Sequence, residues 1–311
     1  MSRFGYLAIG FQIHGIIGFA TGFFIDKLIK LQYLLNYLRV QGSKVQGSLQ
    51  GPRLCTLIAF IIGRTVCKGL KETAMQAYTI HPLVVGINET DQGVMTYLRD
   101  YGKRIYLPIY VFCLKGGDKN ILVDTGLEQF VVPDGAEEEC GFKILEFEDA
   151  LSTLDLKPED IDVIIHTHLH NDHCENDYLC TNAKVYVQKK EYEFMQNPHP
   201  VDHRYYPDVL DENNVVKIDG DANILDGIEV ILSPGHSVGG QSVVVNTSAG
   251  RAIITGFCCN DKNFPSTGPA IAPGVHIDLT EAYDSIQKIR QMADILIPLH
   301  DLSIGRMERI P

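Results

Sequence analysis

Hydrophobic and polar positions follow two kinds of pattern after residue 75. Runs rich in β-branched and aromatic residues indicate strands, and apolar residues at helical spacing indicate helices. The predicted strands are 76–85, 106–114, 120–123, 161–165, 184–187, 215–218, 228–232, 242–245 and 252–254, and the predicted helices are 147–154, 191–195 and 279–292. Gly116-Gly117-Asp118 predicts a hairpin turn between two of these strands. Many strands with interspersed helices, and no regular βα repeat, predict an α+β fold in which helices cover sheets.

Residues 1–74 differ from the rest of the chain. Residues 6–25 lack formal charge and are long enough to span a bilayer, although four glycines in that stretch, with Gly5 just before it, weaken a helix. Three interpretations stay open for residues 1–74: a basic extension that associates with a membrane, a helical appendage packed on the domain, or a translation start placed too early, with Met75 as the true start. The catalytic domain is expected at 75–311 in each case.

Net charge differs between the two parts of the chain and limits the class of binding partner that the chain can have. Residues 1–74 carry nine Lys or Arg and two acidic residues, a net +7, whereas the other 18 basic and 37 acidic residues give −19. Such an acidic surface repels phosphate backbones, which excludes a nucleic-acid partner and favours a small molecule. The eight cysteines form no Cys-x-x-Cys pair, so we expect a reducing, cytoplasmic location, with membrane association through residues 1–74 and a homodimer left open.

The segment 161–173 concentrates groups that bind metals. If the strand continues to its end, His168 and His170 project from one face, and Asp172 and His173 follow on a loop. Imidazole and carboxylate groups hold Zn²⁺ or Fe²⁺ while leaving a position open for water. This cluster predicts a metal site, and His166 is interpreted as a packing or supporting residue.

Four motifs in order resemble the metallo-β-lactamase superfamily over residues 76–311. They are His168-x-His170-x-Asp172-His173, Asp124-Thr125-Gly126, Pro234-Gly235-His236 and Pro298-Leu299-His300-Asp301. The resemblance is greatest to the N-acyl homoserine lactonase-like branch. It implies an αββα sandwich of two mixed sheets flanked by helices.

The resemblance also implies a role for each motif residue. His168, His170 and His236 would bind one metal, and Asp172, His173 and His300 a second. The ions would be zinc, one or two, with iron or manganese as alternatives. Metal-bound hydroxide would attack a lactone or ester carbonyl, Asp172 would transfer the proton to the leaving group, and Asp124 would orient the metal-binding loops without being a ligand.

Two positions depart from the pattern of this superfamily. Phe257 stands where a carboxylate that bridges both metals is expected. Cys258, Cys259 or Asp261 could replace that carboxylate, or nothing does. Asn260 stands where a tyrosine that assists the substrate carbonyl is expected.

Two alternatives to a lactonase stay open. A thioesterase of the glyoxalase II type would share the ligands, although the short ending 305–311 leaves little room for a basic glutathione-binding tail. A mono-iron oxygenase or a non-catalytic metal-binding protein is the other alternative. The loop 197–214, with His199, His203, Arg204, Tyr205 and Tyr206, is either ordinary surface, the commoner outcome, or one wall of the substrate pocket.

Overall fold

The computed structural model describes residues 75–311, and the predictions for residues 1–74 lie outside it. The strands are β1 Thr79–Asp91, β2 Arg104–Lys115, β3 Ile121–Val123, β4 Val163–Ile165, β5 Lys184–Gln188, β6 Val215–Ile218, β7 Ala222–Leu225, β8 Ile228–Leu232, β9 Gln241–Thr247, β10 Gly250–Ile254 and β11 Ile295–Ile297. The helices are α1 Gln92–Met95, α2 Ala136–Cys140, α3 Phe147–Ser152, α4 Asn171–Cys174, α5 Lys189–Gln196 and α6 Leu279–Met292. Short 3-10 turns lie at Pro158–Asp160, Asp177–Leu179, Glu212–Asn214, Asp261–Asn263 and Ile304–Arg306.

The strands form two mixed sheets. One sheet has the order β1-β2-β3-β4-β5-β6, with antiparallel pairs up to β3 and parallel pairs beyond it. The other has the order β11-β10-β9-β8-β7, in which only the β10–β11 pair is parallel. The predicted hairpin is confirmed, because Phe112 on β2 pairs with Val123 on β3.

Three apolar clusters show how the sheets and helices are layered. The alternation of side chains along β9 places Val243 and Val245 in a cluster shared by both sheets, and Val244 in another cluster with Ile286 and Ile289 of α6. The remaining cluster joins the first sheet to residues of α3 and α5. The order of layers is therefore helix, sheet, sheet, helix, and the predicted αββα sandwich of two mixed sheets is confirmed.

Two strands were not predicted from the sequence. β7 and β11 have only four and three residues, and most of their side chains are half-buried or exposed. Their apolar pattern is therefore too short and too weak to indicate a strand. Each lies at an edge of the second sheet, where a strand needs only one partner.

The described residues also bear on the predictions about membrane and redox environment. No helix within residues 75–311 combines the length and apolar character needed to cross a bilayer. The cysteines of this range, at positions 113, 140, 174, 180, 258 and 259, are all buried free thiols.

Candidate metal centre

The candidate ligands follow the carboxyl ends of three strands. β4 ends at Ile165, so His168 and His170 lie in the connection to α4. The expectation that they project from one strand face is therefore wrong. The strand ends early because the backbone N–H of Thr167 donates to the Asp124 carboxylate, at 2.7 Å, instead of to a neighbouring strand. Asp172 and His173, expected on a loop, lie in α4.

Three histidines form one compact set of ligand atoms. His168, His170 and His236, here called the three-histidine group, offer nitrogen atoms within 4.8 Å of one another, and all three are buried. The His168 Nε2 and His236 Nε2 atoms lie 3.2 Å apart. Two ring nitrogens at this separation need a shared proton or a cation between them.

Asp172, His173 and His300, here called the aspartate group, form a second set with the same spread of 4.8 Å. The Asp172 Oδ2 atom lies 3.5 Å from His173 Nε2. The rings of His168 and His173 are 4.1 Å apart between centroids, so the two groups adjoin. The structure thus brings all six predicted ligands to one place.

Backbone and carboxylate acceptors orient the imidazoles. The Nδ1–H of His236 donates to the carbonyl oxygen of Val275 at 2.8 Å, and that of His300 to Pro108 at 2.9 Å. His173 Nδ1–H donates to Asp124 Oδ2 at 2.8 Å. In each ring the Nε2 atom is therefore available to bind a metal ion, the arrangement found around protein-bound metals.

Gly235 lets the loop of His236 approach α6 closely. Its φ is 114°, and a Cβ atom there would lie 2.0 Å from the backbone nitrogen of Ala282. Only glycine fits this approach. The backbone N–H of Ile277 donates to the Gly235 carbonyl at 2.7 Å, which fixes the loop beside the segment that orients His236.

Burial and mutual repulsion keep most of these histidines uncharged. Burial lowers the pKa of His168 and His236 well below the usual value, and neighbouring histidines lower it further. The pKa of His300 is lowered to about 4 by burial and by His173. Burial raises the pKa of Asp172, but the nearby His173 and His300 outweigh it, so that the pKa is lowered. Neutral imidazoles and an ionised carboxylate are the forms that bind divalent metals.

Asp124 organises the aspartate group and also holds the segment just before His168. Its fully buried carboxylate accepts hydrogen bonds from the Thr167 backbone N–H, the Thr167 hydroxyl and His173. Burial raises its pKa, but the interactions with His173 and His166 lower it to about 2. Its φ of 61° is rare for a residue other than glycine and fits a position held by function. Asp124 is absent from both ligand groups, in agreement with the orienting role expected for it.

His166 supports the centre from behind Asp124. Its Nε2 atom donates to Asp177 Oδ2 at 2.8 Å, and its Nδ1 atom lies 3.5 Å from Asp124 Oδ1. Burial lowers the pKa of His166, but Asp177 and Asp124 raise it to about 10. His166 is a buried ion-pair partner and lies in neither ligand group, as the sequence suggested.

Glu191 organises the three-histidine group, and sequence analysis did not assign it a role. It is fully buried in α5. Its carboxylate accepts from the backbone N–H of Leu169 at 3.1 Å, the Tyr205 hydroxyl at 2.8 Å and the backbone N–H of Gly239 at 2.7 Å. One side chain therefore ties together the loops before His170 and after His236.

The loop predicted as pocket wall or surface contributes to both. His199 and His203 are exposed, whereas the Tyr205 ring packs edge-on against His170 with 4.8 Å between centroids. Arg204 and Tyr206 line the pocket. The interpretation as ordinary surface is therefore wrong for the centre of this loop.

Asp202, also missed by sequence analysis, is buried beside His170. Its Oδ2 atom lies 3.4 Å from His170 Nε2. Arg204 donates to Asp202 through Nε at 2.7 Å and through Nη2 at 2.6 Å. Burial is the largest cause of the lowered pKa of His170 and His236, and the charge of Arg204 lowers it further.

The residues considered as a bridging ligand lie in different surroundings. Phe257 packs with the apolar cluster under α6. The Cys258 thiol donates to Met95 Sδ, and Cys259 lies 3.1 Å from the Thr255 hydroxyl. Asp261 is exposed and ion-paired with Lys262. None of them belongs to the ligand groups found within residues 75–311.

Asn260, which stands at the position expected for a tyrosine, has a structural role. Its side chain accepts from the backbone N–H of Lys262 at 3.1 Å and exchanges hydrogen bonds with Gln92. It is not among the residues that line the pocket.

Both ligand groups lie on the wall of one pocket of about 1210 Å³. Apolar side chains contribute much of the remaining wall: Val94, Leu107, Leu127, Val131, Val209 and Val275. Cys258 also lines it. A site that joins metal-type ligands to an apolar cavity suits a substrate with a hydrocarbon part and one reactive polar group.

Comparisons with known proteins agree with this geometry. A family model described as the metallo-beta-lactamase superfamily matches residues 105–256. The chain is 31% identical over 205 residues to an N-acyl homoserine lactonase of Bacillus cereus, which covers 61% of this chain and 78% of that protein. It is 29% identical over 232 residues to an N-acyl homoserine lactonase of Bacillus thuringiensis, covering 67% of this chain and 87% of that one.

The fold is similar to that of a solved N-acyl homoserine lactone hydrolase, which has the product N-hexanoyl-L-homoserine bound at its catalytic metal centre. The TM-score is 0.60 at 24% identity, over 75% of this chain and 96% of that chain.

Proposed function

The chain belongs to the metallo-β-lactamase superfamily, and on that premise we propose that it hydrolyses lactones of the N-acyl homoserine class. It is a metal-dependent hydrolase of the lactonase-like kind. The observation that carries the proposal is the pair of ligand groups on the wall of one partly apolar pocket. The reactive ring would lie at the ligand groups and the acyl chain along the apolar wall.

The donor set fits two divalent metal ions, and zinc is the metal we propose. His168, His170 and His236 would hold one ion, and Asp172, His173 and His300 the other. Mostly neutral imidazoles with one carboxylate match the ligand preference of Zn²⁺, while Fe²⁺ and Mn²⁺ remain the alternatives to be compared. When bound in such a site, Zn²⁺ lowers the pKa of water to about 7 and so supplies a nucleophile at neutral pH.

Asp172 is the residue we assign to proton transfer. Its pKa is lowered despite burial, so it is a carboxylate at neutral pH and can accept a proton on Oδ1 or Oδ2. It lines the pocket, where a substrate can reach it. A proton taken up there can pass to the departing ring oxygen, which leaves as a hydroxyl group.

Substrate turnover by the full chain tests this proposal. We expect zinc-loaded protein to hydrolyse N-acyl homoserine lactones faster than aryl esters or thioesters. His170→Ala should lower kcat/KM by more than about 100-fold, because removing a ligand exceeds the 10- to 100-fold effect of losing an outer hydrogen-bond partner.

His203→Ala is the matched control, because His203 is exposed and lies outside both ligand groups. It should keep the activity of the unchanged protein. Equal rates for the unchanged protein and His170→Ala would contradict the metal-centred reaction. One iron per chain without turnover of any ester or lactone would favour the oxygenase alternative instead.

The predictions about location and assembly are independent of this reaction. A cytoplasmic location is supported by six buried free thiols within residues 75–311. A homodimer and membrane association through residues 1–74 stay predictions.

A further inference from the structure

Arg204 is the only Lys or Arg among the described residues that line the pocket. The other charged side chains of this wall, apart from the ligand groups, are acidic: Glu89, Glu128, Glu175 and Asp208. A single cation in an acidic cavity stands out, because a pocket for a neutral substrate does not need one.

The position of Arg204 is fixed by several contacts. Its Nε and Nη2 groups donate to the two oxygens of Asp202, a bidentate pair that sets the plane of the guanidinium. Its backbone carbonyl accepts from Asn171 at the start of α4. Asp202 has only 3% of its side chain exposed, whereas Arg204 has 32%. Among residues 75–311, Nη1 has no hydrogen-bond acceptor, so it can serve a molecule in the pocket.

The proposed reaction creates a negative charge in the pocket that Arg204 lines. A C–O bond forms between the oxygen of water and the lactone carbonyl carbon, and the ring C–O bond breaks. The ring oxygen takes up one proton of the water and becomes a hydroxyl, while the other proton leaves and the lactone carbonyl carbon becomes that of a carboxylate. Among the described residues that line the pocket, Arg204 is the one Lys or Arg that can attract this carboxylate in addition to the metal ions.

We propose that Arg204 binds the lactone carbonyl oxygen of the substrate, which gains negative charge during hydrolysis and remains in the product carboxylate. This inference rests on the proposed lactonase function and extends it to a residue that contacts substrate. Asp202 then has the role of holding the guanidinium in place.

A purely structural role for Arg204 makes a different prediction. Asp202 lies 3.4 Å from His170 Nε2, so Arg204 could act only by neutralising Asp202 and keeping His170 in position. In that case Arg204→Met and Asp202→Asn should lose metal to the same degree. They should also weaken every pocket ligand equally.

Binding of two matched ligands to the zinc-loaded full chain separates these roles. N-hexanoyl-L-homoserine carries the carboxylate, and its carboxamide analogue does not. We expect Arg204→Met to keep the zinc content of the unchanged protein and to bind the carboxylate about 10- to 100-fold more weakly, as for a lost charge-assisted hydrogen bond. Its affinity for the carboxamide should change less than about twofold, and Arg204→Lys should restore part of the loss.

The other outcomes each reject a defined claim. Equal weakening of both ligands, or loss of zinc from Arg204→Met, would overturn the assignment of Arg204 as a substrate contact. Lactone hydrolysis by the unchanged protein, combined with full carboxylate affinity in Arg204→Met, would also overturn it while leaving the proposed function intact. An unchanged protein that neither hydrolyses lactones nor binds the carboxylate would overturn both.

Discussion

The two ligand groups are built by the same device but differ in charge. Each is supported by one buried carboxylate outside the group: Glu191 bonds loops of the three-histidine group, whereas Asp124 bonds His173 of the aspartate group and also Thr167, next to His168. The three-histidine group contains only imidazoles, whereas the aspartate group includes a carboxylate. Hydrogen bonds to loop backbone therefore define the ligand geometry of both groups, while ligand charge distinguishes them.

Removing one ligand from each group should have the largest effect. We expect His236→Ala and His300→Ala each to lose one of two zinc ions, with an affinity loss above about 100-fold for that ion only. The reason is that each group has its own set of ligand atoms. Metal analysis after dialysis measures the stoichiometry. Loss of both ions from either variant would show that the groups are not independent.

Changing the organising carboxylates should have the next largest effect. Glu191→Gln should weaken binding of the ion of the three-histidine group by about 10- to 100-fold. Asp124→Asn should weaken binding of the ion of the aspartate group to a similar degree, and that of the three-histidine group less, through Thr167 beside His168. Asparagine and glutamine keep the shape of the side chain but lose the negative charge, so they accept hydrogen bonds from several N–H groups less strongly. Zinc titration with a competing chelator checks this, and a Glu191→Gln variant that weakens binding of both ions equally would contradict a separate support for each group.

Acid should destabilise the metal-free protein. The lowered pKa of His300, about 4, means that the unfolded chain binds more protons than the folded protein between about pH 6.5 and 4. Stability should therefore fall as the pH decreases through this window, by about 1.4 kcal/mol per unit of pKa difference. His168 and His236 shift in the same direction.

His166 acts in the opposite direction, because its pKa is raised to about 10. Its contribution is fully present below about pH 6.5 and is lost as the pH rises towards 10. Melting temperatures of the chelator-treated full chain from pH 4.5 to 9 test both the acidic and the alkaline pH dependence of stability. His300→Asn should reduce the fall in melting temperature below pH 6.5. A melting temperature of the unchanged protein that stays constant below pH 6.5 would contradict the lowered pKa of these histidines.

The smallest effects are expected at the positions considered for the bridge. Asp261→Asn removes an exposed ion pair with Lys262, worth about 1 kcal/mol or less. Cys258→Ser should also leave zinc stoichiometry unchanged, because burial raises the pKa of this thiol and Cys258 is in neither ligand group. Zinc content measures both variants. A lost ion in Cys258→Ser would identify the thiolate as a ligand.

The ligand residues and the layers could be predicted because their signals are local. His168, His170 and His173 lie close together in the chain, and the strands of the inner layers have continuous apolar runs. Even so, the backbone around His168 was predicted wrongly, since the early end of β4 depends on the distant Asp124. Local pattern does not report which tertiary acceptor a backbone N–H will find.

The supporting carboxylates could not be predicted for a related reason. Glu191, Asp177 and Asp202 are single acidic residues in polar surroundings of the sequence, where exposed acidic residues are the rule. Their roles arise from burial and from partners elsewhere in the chain. The same holds for Arg204, whose pairing with Asp202 is local but whose place in the pocket is not.

Anomalous diffraction at the zinc edge from crystals of the zinc-loaded full chain would show whether each ligand group holds its own ion. We expect two peaks. One should lie about 2.0–2.1 Å from nitrogens of His168, His170 and His236, and the other should be bound by Asp172, His173 and His300. A single peak, or a peak coordinated by Cys258 in place of these ligands, would contradict the claim that each group binds one zinc ion.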